Sequence, residues 1–336
     1  MFSDILSHPL KETSYRERWH PLTLLRACFT INPLLTLFGV VMILTFISTL
    51  IGIAIDHRVI TGMPAWVKPA KFALSFSVYT FTFLWLSTFI HGHKRLVGAI
   101  TSVIALMATI EMVIIITQVI RGTTSHFNFS TPLDDTLFGI MGKAITVFAL
   151  MHMIVAILLL FQHIPDLAFA WSLRLGLLLF IVGMGIAFLM TQPTPMQEAA
   201  TRAGTLVTTI GAHSVGVPDG GPGLPFLGWS TTSGDLRIAH FVGLHALQVL
   251  PLLGWWISRH ASRLRIGHRI ALVWTAGLSY LSLVGLLTWQ ALRAQPLIAP
   301  DALTLQALAS LLSATALAII LIFAHAQARA THTKQS

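Results

Sequence analysis

Eight long apolar runs constrain this chain more than any other feature of its sequence. A helix needs about 20 apolar residues to cross a hydrocarbon layer roughly 30 Å thick, and each run has close to that length. The predicted spans are residues 33–55, 72–90, 97–119, 136–162, 170–190, 238–257, 270–291 and 302–324. The sequence therefore predicts an all-α fold, a polytopic transmembrane helix bundle with about eight spans.

The composition agrees with a bilayer protein. Hydrophobic residues make up 55% of the chain and charged residues only 10%, whereas soluble domains carry about 25% charged residues. The spans and their connections use nearly the whole chain, so we expect little room for a soluble domain. We predict a cytoplasmic amino-terminal segment at 1–30, a transmembrane domain at 31–325 and a cytoplasmic tail at 326–336.

The basic residues behind the net charge of +9 lie mostly on one side of the predicted spans. If the first 30 residues define one side and the spans alternate, that side holds thirteen Lys and Arg against four acids. The other side holds seven of each. Positive loops face the cytoplasm, so both termini are predicted to be cytoplasmic. The basic excess is explained by membrane orientation, and nucleic acid is not an expected partner.

Several function classes have no motif here. Cys28 is the only cysteine, which excludes an intramolecular disulfide and a c-type haem attachment motif. Walker, HExxH, GxSxG and Rossmann glycine fingerprints are absent from the chain, which argues against the hydrolases and nucleotide-dependent enzymes that use them. The first 20 residues lack an apolar core, so no cleaved signal peptide is expected.

One connection, residues 191–236, is much longer than the others. Its first part can hold a short interfacial helix, and its second part is rich in Gly and Pro and is predicted to be irregular. Long loops in compact proteins are functional or disordered. Because this loop contains the large apolar residues Phe226, Leu227 and Trp229, we expect it to pack back onto the spans on the periplasmic side as a lid.

The third span carries a polar stripe. Glu111, Gln118 and Arg121 fall within an arc of about 80° on one helix face. Glu111 is ten residues before Arg121, which places it roughly 15 Å inside the membrane. A carboxylate at that depth is costly and is a functional candidate by default.

The sixth span carries a second stripe, formed by Arg237, His240, His245 and Gln248 within an arc of about 140°. Counted from Arg237, His245 lies about 12 Å deep and His240 about 4.5 Å deep. These depths match those of Glu111 and Gln118 on the third span. The sequence therefore predicts one polar cavity between the two spans, open to the periplasmic side. The alternative is a set of interhelical hydrogen bonds that serve only packing.

Other polar residues lie near the predicted mouth of this cavity. Lys68 and Lys71 precede the second span, where they can bind an anionic group, pair with an acid or reach the headgroups. In the loop after the third span, Thr131-Pro-Leu-Asp134 looks like a helix start, with Asp134 and Asp135 in the first turn.

Two ionisable residues lie inside the fourth span. Lys143 needs a partner, for which Asp134, Asp135 or Glu111 is the candidate. His152 lies toward the cytoplasmic leaflet and is interpreted as a hydrogen-bonded packing residue.

These residues allow three cofactors or ligands: haem b, a transition metal or a quinone. Candidate catalytic residues are Glu111, as the proton-exchanging carboxylate, and His245. Candidate cofactor contacts are His240, His245, Gln118, Gln248, Arg121 and Lys71, and candidate metal ligands are His240, His245, His126 and Glu111.

The leading hypothesis from sequence is a redox protein of the bacterial inner membrane with the lipid bilayer and a small-molecule ligand as partners. A proton-coupled small-solute transporter and a non-enzymatic membrane sensor or assembly protein stay open, because a buried carboxylate beside a cavity serves all three.

Overall fold

The computed structural model describes residues 20–335, and the predicted amino-terminal segment before His20 lies outside the described residues. The chain divides into two compact units with a boundary between Gln162 and His163. Both units are almost entirely helical.

The first unit contains five helices and one short hairpin among its described residues. They are α1 (Pro21–Ile31), α2 (Pro33–Ile55), β1 (Val59–Ile60), β2 (Met63–Pro64), α3 (Val67–Ser87), α4 (Lys94–Ile120) and α5 (Pro132–Leu160). The principal helix pairs are α2 with α3 and α4 with α5. Asn32 separates α1 from α2. Its side chain accepts a hydrogen bond from the Leu35 amide and donates one to Thr101 Oγ1 on α4 at 2.8 Å.

The second unit begins with a long helix and ends with another. Its elements are α6 (Leu167–Met190), α7 (Pro195–Arg202), β3 (Ser214–Val215), β4 (Gly234–Asp235), α8 (Leu236–His260), α9 (Ile266–Leu292) and α10 (Ala302–Gln335). Here α8 packs most extensively against α6, and α9 packs against α6, α8 and α10.

The predicted fold class is confirmed. Seven of the described helices, α2, α4, α5, α6, α8, α9 and α10, are long and apolar enough to cross a membrane. Helix α3 overlaps the predicted second span and has 21 residues, so it is about 31 Å long, but Lys68, Lys71 and several Ser and Thr residues make it more polar. The charge pattern needs α3 as the eighth span for both termini to be cytoplasmic, and that topology stays a prediction.

A tight turn fixes the start of α3. Thr61 and Gly62 both have positive φ, as a two-residue hairpin turn of the primed type requires. Trp66, just after the hairpin, donates a hydrogen bond from Nε1 to Asp56 at 2.7 Å and packs against Gly52 of α2. The first turn of α3, which carries Lys68, is therefore tied to the end of α2.

Glycines bring α6 and α8 into backbone contact. A Cβ on Gly183 would lie 2.5 Å from the Gly243 carbonyl carbon, and a Cβ on Gly254 would lie 2.0 Å from Ser172 Oγ. Small residues allow this close approach in membrane helices, where association depends on van der Waals packing.

The long connection of the second unit is ordered by several contacts, and its packing onto the spans as a lid stays a prediction. Helix α7 has a complete capping box between Thr194 and Gln197, which confirms the predicted short helix. Asp219 accepts hydrogen bonds from the His213 ring at 2.6 Å and from the Ser214 amide at 2.8 Å. Burial opposes ionisation of Asp219, but these hydrogen bonds and the His213 charge outweigh it and hold the pKa of Asp219 well below its usual value.

Candidate functional site

The first unit places Glu111 in a buried position on α4. Its residue is only 4% exposed, and Oε2 has no hydrogen-bond partner among the described residues. The other oxygen, Oε1, lies 3.6 Å from His126 Nε2. A buried carboxylate with one unsatisfied oxygen is costly for stability. The sequence prediction that Glu111 points into the helix bundle is consistent with this burial.

His126 connects Glu111 to a lysine. The Lys68 ammonium lies 3.0 Å from His126 Nδ1, and Ser125 Oγ lies 3.1 Å from the same nitrogen. An ammonium can only donate, so Nδ1 accepts and the ring proton of neutral His126 is on Nε2. That proton faces Glu111 Oε1. Three titratable groups from α3, the α4–α5 loop and α4 thus lie in series, which we call the Lys68–His126–Glu111 series.

Aromatic rings surround this series. The His126 ring centroid lies 5.9 Å from Phe72 of α3, 6.0 Å from Phe127 and 6.1 Å from Phe138 of α5. Phe127 has φ +59°, an uncommon conformation for a bulky residue. Backbone strain of this kind costs about 1–3 kcal/mol and concentrates at functional sites. The imidazole of His126 therefore has three aromatic neighbours.

Gln118 and Arg121 take part in a neighbouring network. Gln118 is fully buried and donates to Asp134 Oδ1 at 2.8 Å. Arg121 donates to the same carboxylate oxygen and to Gln118 Oε1, both at 2.5 Å. Thr131 caps α5 and donates its hydroxyl proton to Asp134 Oδ2 at 2.6 Å, which confirms the predicted helix start. We call this group the Asp134 clamp, because it joins the end of α4 to the start of α5.

The expected partner of Lys143 is not found. Lys143 lies on an exposed position of α5, and within residues 20–335 no carboxylate forms an ion pair with it. Glu111 instead faces His126. The interpretation of His152 as a hydrogen-bonded packing residue agrees with its surroundings. It is fully buried, and Tyr79 OH on α3 lies 3.2 Å from its Nδ1.

The second unit holds the other predicted stripe. His240 Nδ1 lies 2.7 Å from the Gly183 carbonyl of α6, and His245 Nδ1 lies 2.8 Å from the Phe241 carbonyl of its own helix. A carbonyl only accepts, so both rings carry their proton on Nδ1 and present the Nε2 lone pair. Metal-bound imidazoles have this arrangement. Gln248 lies further along α8 and is partly buried.

The predicted set of ligands divides between the units. Glu111 and His126 belong to the first unit, and His240 and His245 belong to the second. Across the described part of the chain, no three His, Cys, Asp or Glu side chains are grouped so that they could hold a metal ion. The cavity predicted between the third and sixth spans, and the depth match between its two stripes, stay predictions.

The sequence places His126 and Glu111 in one set of candidate metal ligands, and the structure brings these two side chains together, but the contact between Lys68 and His126 is not among the sequence predictions. The His126 ring reaches Glu111 from the loop between α4 and α5. The sequence allows Lys68 to bind an anionic group, pair with an acid or reach the headgroups, and Lys71 lies three residues further along α3, partly buried. The loop sequence Ser-His-Phe-Asn-Phe was the available signal, because two Phe residues in a polar connection favour folding back onto the helices.

The structure defines a helical membrane-spanning protein in whose first unit a buried glutamate lies beside a partly buried histidine and lysine. No protein-family model, no curated protein and no solved structure matches the chain.

Proposed function

We propose that this is a redox protein of a bacterial-type inner membrane, and that its first unit binds a quinone at the Lys68–His126–Glu111 series. The observation that carries the proposal is the series of three titratable groups with three Phe rings near its central imidazole. A quinone needs a flat apolar slot, a donor for its carbonyl oxygen and a group that exchanges protons.

Each component has an assigned role. The Lys68 ammonium, next to His126, is the charged group that orients a quinone carbonyl oxygen in this proposal. Phe72, Phe127 and Phe138 contact the quinone ring. Glu111 and His126 take up or release protons when quinone gains two electrons and two protons to become quinol. A one-electron carrier, for which haem is the candidate class, supplies or removes the electrons.

Binding of a short-chain ubiquinone analogue to the purified protein in detergent tests this proposal. Replacing His126 by Leu should weaken binding roughly tenfold to a hundredfold, because a hydrogen bond within a charged series is lost. His93→Leu is the matched control, since His93 is exposed in the turn before α4, and it should bind like wild type. Equal affinity in wild type and His126→Leu, or no saturable binding to wild type, contradicts the quinone site.

Haem is a second candidate ligand, favoured by the two imidazoles of α8. Both His240 and His245 donate Nδ1–H to a backbone carbonyl, which leaves Nε2 as the ligating atom. We expect a Soret band in the visible absorption spectrum of the purified protein and its loss or shift in His240→Ala or His245→Ala. A protein that stays colourless after reconstitution with haem b argues against haem and leaves the quinone proposal to its own test.

A further inference from the structure

A cavity of about 580 Å³ lies in the second unit between the first turn of α9 and the later turns of α10. Four basic residues line it: Arg265 and His268 at the start of α9, and His325 and Arg329 on α10. Leu321 and Ile322 form part of its apolar wall. The charge pattern of the sequence places this end of both helices on the cytoplasmic side.

The hydrogen bonds across the cavity join Arg329 to His325 and His325 to His268, and each residue donates to the next. Arg329 Nε donates to His325 Nε2 at 3.1 Å. A guanidinium only donates, so the proton of neutral His325 is on Nδ1. That nitrogen lies 3.1 Å from His268 Nε2 and donates to it. The proton of His268 is therefore on Nδ1.

His268 Nδ1 ends this chain as a donor without an acceptor. The residue is only 9% exposed, and Nδ1 is buried with no hydrogen-bond partner in the described part of the protein. An unpaired buried donor costs about 1–3 kcal/mol.

The first turn of α9 adds to the positive potential. Arg265 is the N-cap residue and makes no side-chain cap, and the first turn contains no acid. The amides of Ile266 and Gly267 are among those that an α-helix leaves without intrahelical acceptors. Helix N-termini and arginine side chains both favour phosphate.

We infer that this cavity binds a phosphate group, and that the anionic headgroup of a phospholipid in the adjoining leaflet is its natural source. Arg265 and Arg329 contact the phosphate oxygens, and the acyl chains lie along Leu321 and Ile322. Basic pockets between membrane helices on the cytoplasmic side bind anionic headgroups in this way. This site is separate from the proposed quinone site and does not depend on it.

Native mass spectrometry of the full-length protein, with added phosphatidylglycerol or phosphatidylcholine, tests the inference. Phosphatidylglycerol should be retained preferentially, and Arg265→Gln and Arg329→Gln should each weaken its binding about fivefold. His268→Phe keeps an aromatic ring and removes the hydrogen bond that holds His325 beside Arg329, so it should weaken binding as well. Arg263→Gln is the matched control, because Arg263 is exposed in the same turn and is not part of the cavity wall.

A second arm separates the two sources of phosphate. Saturable binding of inorganic phosphate that the same three variants weaken, without preference between the two lipids, keeps the phosphate site and assigns it to a soluble anion. Retention of both lipids to the same extent, with no binding of inorganic phosphate, overturns the inference. It is also overturned if Arg263→Gln weakens phosphatidylglycerol binding as much as Arg265→Gln, because general surface charge would then account for the effect.

Discussion

Glu111→Gln is expected to slow quinol oxidation by about 10²–10⁴-fold, the usual contribution of a general acid–base group, and to leave the protein folded. Glutamine has nearly the same shape and keeps a polar group opposite His126 Nε2, but it cannot exchange a proton. The measurement is oxidation of a short-chain quinol by ferricyanide, above the uncatalysed rate, with purified protein. Each quinol releases two electrons to two ferricyanide ions and two protons to the site.

The matched control is Glu198→Gln on α7, which makes the same change at a 4.0 Å surface pair with Arg202. It should leave turnover unchanged. A thermal unfolding curve for each variant in the same detergent separates chemistry from folding. If Glu111→Gln keeps full turnover and loses stability, the carboxylate is a structural partner of His126. If wild type shows no turnover above the uncatalysed rate, the quinone proposal itself fails.

We expect a function at Glu111 because keeping an ionisable side chain inside a membrane helix costs free energy. Evolution rarely retains an ionisable side chain in a membrane helix unless it serves a pathway, a relay or a ligand. Here one carboxylate oxygen has no hydrogen-bond partner among the described residues. A purely structural position would favour a side chain whose polar atoms are all satisfied.

Most of the fold could be predicted because span length and helix caps are local properties of sequence. The eight predicted runs all became helices, and Thr131 caps α5 as its sequence indicated. Helix α1, Pro21–Ile31, was not anticipated, because eleven residues are too few to span a bilayer and fall below the length on which the span pattern depends.

The partners of the site residues could not be predicted in the same way. Helical phase correctly placed Glu111 and Gln118 on a buried face of α4. Depth along a helix is a single coordinate, however, and does not identify which neighbour lies at that depth. Gln118 bonds to Asp134, sixteen residues away, and His126 reaches Lys68, fifty-eight residues away. These pairs depend on how the α4–α5 loop folds back onto the helices. Helical periodicity in the sequence does not determine the path of that loop.

Asp134→Asn is expected to produce the largest loss of stability in the first unit, about 3 kcal/mol in the free energy of unfolding. Asp134 is only 3% exposed and accepts hydrogen bonds from Gln118, Arg121 and Thr131. The amide removes the negative charge that compensates Arg121, and the Arg121 side chain is two-thirds buried. The measurement is equilibrium unfolding in mixed micelles, followed by circular dichroism.

Asp135→Asn provides the control for the Asp134 clamp. Asp135 also lies in the first turn of α5 but is exposed, so both variants lose the same favourable interaction with the helix dipole, about 0.3–1 kcal/mol. The excess loss in Asp134→Asn therefore measures the clamp. If the two variants lose equal stability, the Arg121–Asp134 ion pair contributes nothing to the free energy of unfolding. Gln118 and Arg121 would then be interpreted as ligand contacts, as the polar stripe of the third span predicts. If the excess appears and folded Asp134→Asn still binds the quinone analogue, these residues hold α4 to α5, and ligand recognition belongs to Lys68, His126 and Glu111.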